Sequence, residues 1–498
     1  MLLFPVSVFA LAVFPGAEGF GTDWVISDWP DTTPDIYIIN TTNPTTAATE
    51  LSAGEKSERN LSPSGFTVYF AGIKTAMQVD TPRIIVFEIS GVSAVNGLIN
   101  VRYNGAGEDG RYMILAGQTA PDPGFTLRGA TVWLASSYAL VQHIRIRPGD
   151  GSGYTADQRD GIQVNAVYTT DPNIESVVID HVSIAWAIDG SIDIKSSGGV
   201  SDSTTDNVTV SNCIIGEHLN DSIHGSGEHS FASITSNVAH LLYKRNLFAH
   251  NVSRNPQMNC NTGFTCGTIL ANNVIYNHDN PIMTGGPTST GEFDINMQGN
   301  VSIEGNDSDT TPAGHAFLAN NIDNSGTDEY YMGAGDYRND CTDYVSDPTD
   351  CVHDVSSGAL TEVGSPTITV SPLTILAYSE TQSHVLNNAG AYPQFRDTVD
   401  TGIVADVSLG QGYIVNCVDY DSGNTSCDSY DEVAEEATDG GSGWNRLSST
   451  ENARVLQFPS NPYGDSDSDG YTNIEEWLHG YSAAVEGSTH SVSSVRLQ

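Results

Sequence analysis

Positive charge is what this chain most lacks. Its 498 residues carry 19 Lys and Arg against 61 Asp and Glu, a formal net charge of −42. Proteins that grip DNA or RNA neutralise phosphates with clustered Lys and Arg, so nucleic acid is excluded as a partner. A polybasic grip on anionic lipid is excluded for the same reason. Long apolar runs are missing too. None approaches the ~20 residues of a spanning helix, and no membrane partner is expected. Extended helical periodicity is absent, and the seven cysteines show neither CxxC nor His-rich zinc spacing. Aromatics are scarce at 8%, but with 39% apolar residues they argue against disorder.

What is present is turn chemistry. Forty-nine Gly, with many Asn, Ser and Thr, favour a turn-rich β protein. From about residue 83, short β-branched runs alternate with Gly, Asn, Asp and Ser turns. The runs repeat a polar residue followed by apolar ones: His181-Val182, Asn212-Cys213, Asn246-Leu247, Asn273-Val274, Asn300-Val301 and Asn321-Ile322. The steps between those polar residues are 31, 34, 27, 27 and 21. Such steps suit coils of one parallel solenoid, with a column of stacked amides inside a bend. A β-sandwich would place strands every ~8–12 residues, and these gaps are too long. The expected fold is therefore all-β, a right-handed parallel β-helix with long loops and a C-terminal wrapping segment.

Four segments follow. Residues 1–13 form a residual leader, mostly apolar like the tail of a secretory signal but without its basic region. Residues 14–325 form the β-helix core, 326–430 a loop-rich extension with disulfides, and 431–498 a C-terminal segment. Six cysteines fall in close pairs: Cys260 with Cys266, Cys341 with Cys351, and Cys417 with Cys427. Each pair would close a short loop in an oxidising compartment, which with the leader suggests a secreted, monomeric protein. Cys213 lies in an apolar run and reads as a buried free thiol. Sequons at Asn40, Asn60, Asn207 and Asn251 matter only in a glycosylating host.

A series of motifs sharpens this picture. Phe14-Pro15-Gly16-Ala17-Glu18-Gly19-Phe20-Gly21 resembles the opening of secreted proteins of the pectate lyase family, polysaccharide lyase family one. The resemblance continues through Ala116-Gly117-Gln118-Thr119-Ala120-Pro121, Ile146-Arg147-Pro148-Gly149-Asp150 and Val178-Ile179-Asp180-His181. It takes in Asp189-Gly190-Ser191-Ile192-Asp193-Ile194-Lys195 and Ser253-Arg254-Asn255-Pro256, with weaker similarity at Arg396-Asp397-Thr398-Val399-Asp400. The substrate implied is an acidic polysaccharide, pectate or a related uronate polymer. The cofactor implied is Ca²⁺.

The chemistry explains the residue types. A pectate lyase removes the proton on C5 of a galacturonate, α to the carboxylate, and expels the C4 oxygen. That C–H is very weakly acidic unless the carboxylate charge is neutralised, as a hard cation with oxygen ligands does. Asp189 and Asp193 are four positions apart, so on a strand they share a face and can meet one cation. The resemblance makes Asp189, Asp193 and Asp160 the calcium ligands; turn-capping Asp residues are the alternative. It makes Arg254 the base. An Arg is an awkward base with its pKa above ~12, and a bidentate contact to a substrate carboxylate is the other reading.

Two positions depart from the family pattern. Asn259 stands where the second Arg of the Arg-x-Pro-x-x-Arg motif falls, and no Lys occupies Glu217-His218-Leu219-Asn220. His218, His224 and His229 cluster there instead, and a His can bind or protonate what a Lys binds elsewhere. Lys195, His218, Asn220 and His224 are the substrate-binding candidates. His181 belongs to the polar column and reads as interior, with Asp180 pointing the opposite way along the strand. Trp186 either stacks on a sugar or fills the core. Eight of the nineteen basic residues (Arg128, Arg145, Arg147, Arg159, Lys195, Lys244, Arg245 and Arg254) fall where the groove is expected.

A second calcium signal lies near the C-terminus. Asp465, Asp467, Asp469, Gly470, Tyr471, Asn473 and Glu476 match the twelve-residue EF-hand loop at every key position. Pro459 and Pro462 argue against an incoming helix, and 474–478 reads as a short following one. This suggests a structural Ca²⁺ that stitches the tail down. Two other function classes stay open: an inverting hydrolase, which needs two carboxyl groups ~6.5–9.5 Å apart, and a non-catalytic carbohydrate-binding β-helix.

Overall fold

The computed structural model describes residues 11–62, 66–102, 110–151, 155, 159–165, 173–196, 204–285, 291–308, 317–319, 328–332, 337–338, 352–354, 361–418, 446–448 and 450–487. Parallel strands wind as a solenoid with three faces, as expected. The first face runs through Ile174–Asp180, Thr205–Ser211, Leu241–Lys244, Thr265–Ala271 and Glu292–Gln298. The second holds Arg145–Arg147, Ser183–Ala185, Ile214–Gly216, Leu247–Ala249, Val274–Tyr276 and Val301–Ile303. The third holds Ile162–Asn165, Ile192–Lys195, Ile234–Ser236, Gln257–Asn259 and Ile282–Thr284. Near the start, the long strand Phe125–Ala135 serves the second and third faces together. Ladders continue past residue 325 through Glu329–Met332, Tyr337–Arg338, Val352–Asp354 and Thr361–Glu362. Asp- and Gly-rich surroundings hid these short strands from periodicity.

Inward side chains such as Ile179, Val210, Tyr243, Ile184, Ile215, Phe248, Ile162 and Ile194 fill one core. Much of the outer surface is covered too, which is why the strands read as continuous apolar runs. Residues 368–375 place Ile368, Val370, Leu373 and Ile375 over Leu242, Ile269 and Ala271 of the first face. Helices Tyr378–Asn388 and Thr398–Leu409 set Val385, Val399, Ile403 and Val407 against Trp186, Ile214, Leu247 and Tyr276 of the second. Trp186 is fully buried there, so it fills the core. The tail then returns to the chain's beginning, where Ile474, Trp477 and Leu478 pack with Val13, Trp24 and Ile38.

The polar column is real but shifted by one residue. Asn246 Nδ2 donates to Asn273 Oδ1 at 3.0 Å, and Asn273 Nδ2 to Asn300 Oδ1 at 2.9 Å. In the preceding coils that register position is Cys213 and then Val182: the Asn246 side chain caps the Cys213 amide, whose thiol receives the Val182 amide. His181 and Asn212 instead align with His143, Arg245 and Asn272 at the neighbouring corner, where all five have φ between 50° and 56° or thereabouts. That left-handed corner breaks strand alternation. It is why Asp180 and His181, expected to point apart, touch at 2.8 Å. Asn273→Ala should strip partners from the Tyr243 carbonyl and the Asn246 amide. It is expected to cost about 1–3 kcal/mol in a denaturant titration.

Cys260 and Cys266 form a disulfide, and Cys417 is disulfide-bonded. Cys427, Cys341, Cys351, Asn321 and leader residues 1–10 lie outside the described residues. Cys213 is free and fully buried, as expected. Among the described residues, no helix is long and apolar enough to cross a membrane.

Candidate active site

The acidic cluster sits where four successive coils enter the third face. Asp160 precedes Ile162–Asn165 on the first of them, and Asp189 and Asp193 flank the entry to Ile192–Lys195 on the next. Strand register puts Gln163 beside Asp193 and Asn165 beside Lys195, all at outward positions because Ile162, Ile192 and Ile194 point in. Asp160 is almost completely buried: it accepts the Gly190 amide at 2.8 Å and a hydrogen bond from the Gln163 side chain. Gly190 is what lets the two carboxylates close in. A Cβ at Gly190 would lie 2.5 Å from Asp193 Oδ1 and 3.3 Å from Asp160 Oδ1.

Such crowding has an electrostatic signature. Burial, then repulsion from Asp193 and Asp189, pushes the Asp160 carboxyl well above its ordinary range. Burial and Asp193 raise Asp189 as well, against the pull of His224, Arg254 and His229. Lys195 binds Asp193 at 2.6 Å; burial would depress its ammonium, but Asp193 and its neighbours hold it above the usual Lys range.

The third coil brings the histidines. His229 Nε2 is 3.9 Å from Asp189 Oδ1, and its Nδ1 donates to the Gly227 carbonyl at 2.8 Å. The His224 ring centroid lies 3.5 Å from that of His229. The ligating atoms of Asp189, His224 and His229 all fall within 4.8 Å of one another, so Asp189 leans towards the histidines as much as towards Asp193. Asn220 lies beside them, its carbonyl accepting the His229 amide at 2.9 Å. His218 is different. It has no exposed surface, its Nδ1 receives the Ala187 amide at 3.3 Å, and burial lowers its pKa to about 3.

Arg254 enters from the fourth coil. Its guanidinium stacks over Phe231 at 3.9 Å, and Phe231 in turn packs against His229 with ring centroids 4.7 Å apart. Burial lowers the Arg254 pKa, while Asp193, Asp189 and Asp160 oppose it. Asn259, in the departing motif position, receives Gln257 Nε2 at 2.9 Å on its side chain and the Asn237 amide at 3.1 Å on its carbonyl. Gln163, Gly190 and Phe231 were not singled out from the sequence. Strand alternation against Asp193 would have found Gln163, and Phe231 follows His229 by two.

Three of the other basic residues lie elsewhere. Arg145 and Arg147 are buried under helix Thr398–Leu409, where Arg147 meets Asp400 at 2.6 Å and Arg145 meets Asp397 at 3.3 Å. Lys244 pairs with Glu18 at 2.5 Å. Arg145 and Arg147 bind the wrapping segment to the solenoid and Lys244 holds Glu18 near the N-terminus, which corrects the expectation that these three line the groove.

At the C-terminal loop, Asp465, Asp467 and Asp469 gather one carboxylate oxygen each within 4.8 Å. Burial and those three Asp groups raise the Glu476 pKa, so Glu476 faces them from the helix. The Tyr471 hydroxyl donates to the Ala12 carbonyl at 2.7 Å, and Glu475 receives the Ile26 amide at 2.8 Å. No helix precedes the loop, as the prolines suggested. The following helix is longer than expected, Asn473–Glu486, because Thr472 and Glu475 form a capping box and Gly487 closes it in the left-handed conformation.

No family model matches the sequence. A protein named probable pectate lyase C from Aspergillus flavus is 28% identical over 485 residues, 94% of each chain. A namesake from Neosartorya fischeri is 27% identical over 410 residues, 81% of this chain and 79% of that one. Among solved structures, a pectate lyase from Bacillus sp. N165 in complex with trigalacturonate covers 75% of this chain and 98% of its own, at 14% identity and a TM-score of 0.43. The resemblance read from the motifs extends over nearly the whole chain.

Proposed function

We propose that this chain, a relative of the fungal pectate lyases along 94% of its length, is a secreted Ca²⁺-dependent lyase that cleaves pectate or a related uronate polymer by β-elimination. The observation that carries the reading is the single patch formed by Asp160, Asp189, Asp193 and Arg254 from three different coils, with burial depressing the Arg pKa. The donor set fits a hard cation. Three carboxylates are crowded, two of them with raised pKa values, and they offer oxygen alone, while Asp189 also lies within reach of the His224 and His229 nitrogens.

Asp160, Asp189 and Asp193 would hold that cation, whose charge neutralises the substrate carboxylate and acidifies the neighbouring C5–H. Arg254, in the neutral form that burial against Phe231 favours, takes the C5 proton and becomes a guanidinium; the C–H electrons form the C4–C5 double bond, and the C4–O pair leaves with the oxygen, which takes a proton from solvent water. His224, Asn220 and Lys195 contact the sugar carboxylate from the rim. His218 has no surface to offer it. The Asp465–Glu476 loop holds a structural Ca²⁺ through Asp465, Asp467, Asp469, Tyr471, Asn473 and Glu476, and fastens the tail to Ala12.

A screen of uronate polysaccharides, read at the ultraviolet band of the conjugated product, tests this. Product should form with Ca²⁺, vanish with chelator and return when Ca²⁺ is restored. Reducing ends without ultraviolet absorbance would favour the hydrolase instead. Gly190→Ala should weaken activation by Ca²⁺ at least tenfold, because its Cβ would collide with the Asp193 carboxylate. An unchanged Ca²⁺ midpoint would remove the Asp160–Asp193 pair from the site.

A further inference from the structure

At the corner between the first and second faces, away from the acidic patch, lies a second cluster: His143, His181, Asp180 and Glu486. The first three are buried, and Glu486 arrives from the last turn of the C-terminal helix. One ligating atom from each falls within 4.8 Å of the other three.

The proton positions are the informative part. His143 Nδ1 lies 2.7 Å from the Ala391 carbonyl, which can only accept, so Nδ1 carries the proton. In the neutral ring Nε2 is then a bare acceptor. It is fully buried and faces the Glu486 carboxylate 3.2 Å away. His181 differs in one respect: it hydrogen-bonds the Asn388 backbone, and its Nδ1 also hydrogen-bonds Asp180 Oδ2 at 2.8 Å, so a metal there would displace that proton. In both rings a backbone partner behind the imidazole leaves the other nitrogen facing a carboxylate, an arrangement that metal-ligating histidines use.

The dimensions agree. Zn–N and Zn–O bonds of about 2.0–2.2 Å put the ligand atoms of a tetrahedral site about 3.4 Å apart. Three of the distances across the cluster are 2.8 Å (the Asp180–His181 hydrogen bond), 3.2 and 3.9 Å, and all four atoms lie within 4.8 Å of one another. Asp180 is also held from behind, receiving Gln142 Nε2 at 3.0 Å, Ser211 Oγ at 2.7 Å and Asn212 Nδ2 at 2.9 Å. A cavity of about 330 Å³, lined in part by His181, Lys244, His384, His479 and Glu486, offers an entry path.

We propose that His143, His181, Asp180 and Glu486 form a binding site for a zinc-class divalent metal that clamps the C-terminal helix to the solenoid. Two imidazole and two carboxylate donors suit such an ion better than Ca²⁺, which takes oxygen alone. The site is separate from the acidic patch in donors and in role, so it stands or falls independently of the proposed reaction.

The test uses the full-length protein in saturating Ca²⁺, with His224→Ala and His229→Ala introduced to silence the other histidine pair. Titration calorimetry with Zn²⁺ should show one equivalent bound, and Zn²⁺ should raise the melting temperature. Glu486→Gln, at a position only 21% exposed, should weaken that binding at least tenfold and abolish the melting shift, with His143→Gln behaving alike. Absence of stoichiometric Zn²⁺ binding, or binding unchanged in a folded Glu486→Gln variant, would overturn the site and leave a protonated His–carboxylate ion pair.

Discussion

Arg254→Ala is expected to lower kcat on polygalacturonate by about 10³-fold, roughly 4 kcal/mol of transition-state stabilisation, with little change in the melting curve. The side chain is partly buried against Phe231 and its chemistry is local, so the fold should survive its loss. Arg254→Lys should also lose most of kcat. A Lys keeps the charge, but its ammonium is a compact point donor without the planar guanidinium that stacks on Phe231. If Arg254 only bound a substrate carboxylate, the Lys variant would keep kcat and raise KM. A loss below tenfold in the Ala variant would remove Arg254 as base and revive the hydrolase reading, in which only the carboxylates act.

Asp400→Ala should be the most damaging change to stability. Asp400 is fully buried, receives Arg147 Nη2 at 2.6 Å and Ser183 Oγ at 2.6 Å, and lies 3.6 Å from Arg145 Nε. Removing it leaves two buried guanidinium groups sharing Asp397, and breaking a buried pair from one side costs about 3–5 kcal/mol. A denaturant titration should show that loss, and the double variant Arg147→Met with Asp400→Leu should recover part of it. The same network fixes an acid limit. Burial would raise the Asp397 carboxyl, but Arg145 and Arg147 hold it below its ordinary value. A carboxyl depressed in the folded state stabilises the protein above its unfolded pKa, near 3.8, and that contribution is lost as pH falls through the lower folded value. Asp397→Asn should therefore flatten the acid limb of the stability profile. An unchanged acid limb would show that the pair contributes no linkage.

Much of this was legible in the residues because coil-to-coil repetition is a one-dimensional signal. The steps among Asn246, Asn273 and Asn300 gave the solenoid directly, and those amides do stack. The same pattern misled by one position at His181 and Asn212, since a left-handed corner residue and a ladder residue are both polar and adjacent in sequence. Asp189 and Asp193 were expected to share a strand face, but only Asp193 is on the strand Ile192–Lys195; Asp189 lies in the bend before it and reaches towards His224 and His229. Arg145 and Arg147 looked like groove residues because charge in a motif suggests chemistry. Only the docking of a helix more than two hundred residues away shows that they are a buried clasp. The cluster of His143, His181, Asp180 and Glu486 was beyond reach for the same reason: one of its members arrives from the last described turn of the chain.

The measurement that bears most directly on the central claim is the structure of the product's new non-reducing end. Digestion of polygalacturonate in Ca²⁺, followed by mass spectrometry with ultraviolet detection, separates the two outcomes cleanly. β-Elimination gives absorbing oligomers lighter by one water than the corresponding hydrolysis fragments. Oligomers of full hydrolytic mass, without absorbance, would contradict a lyase.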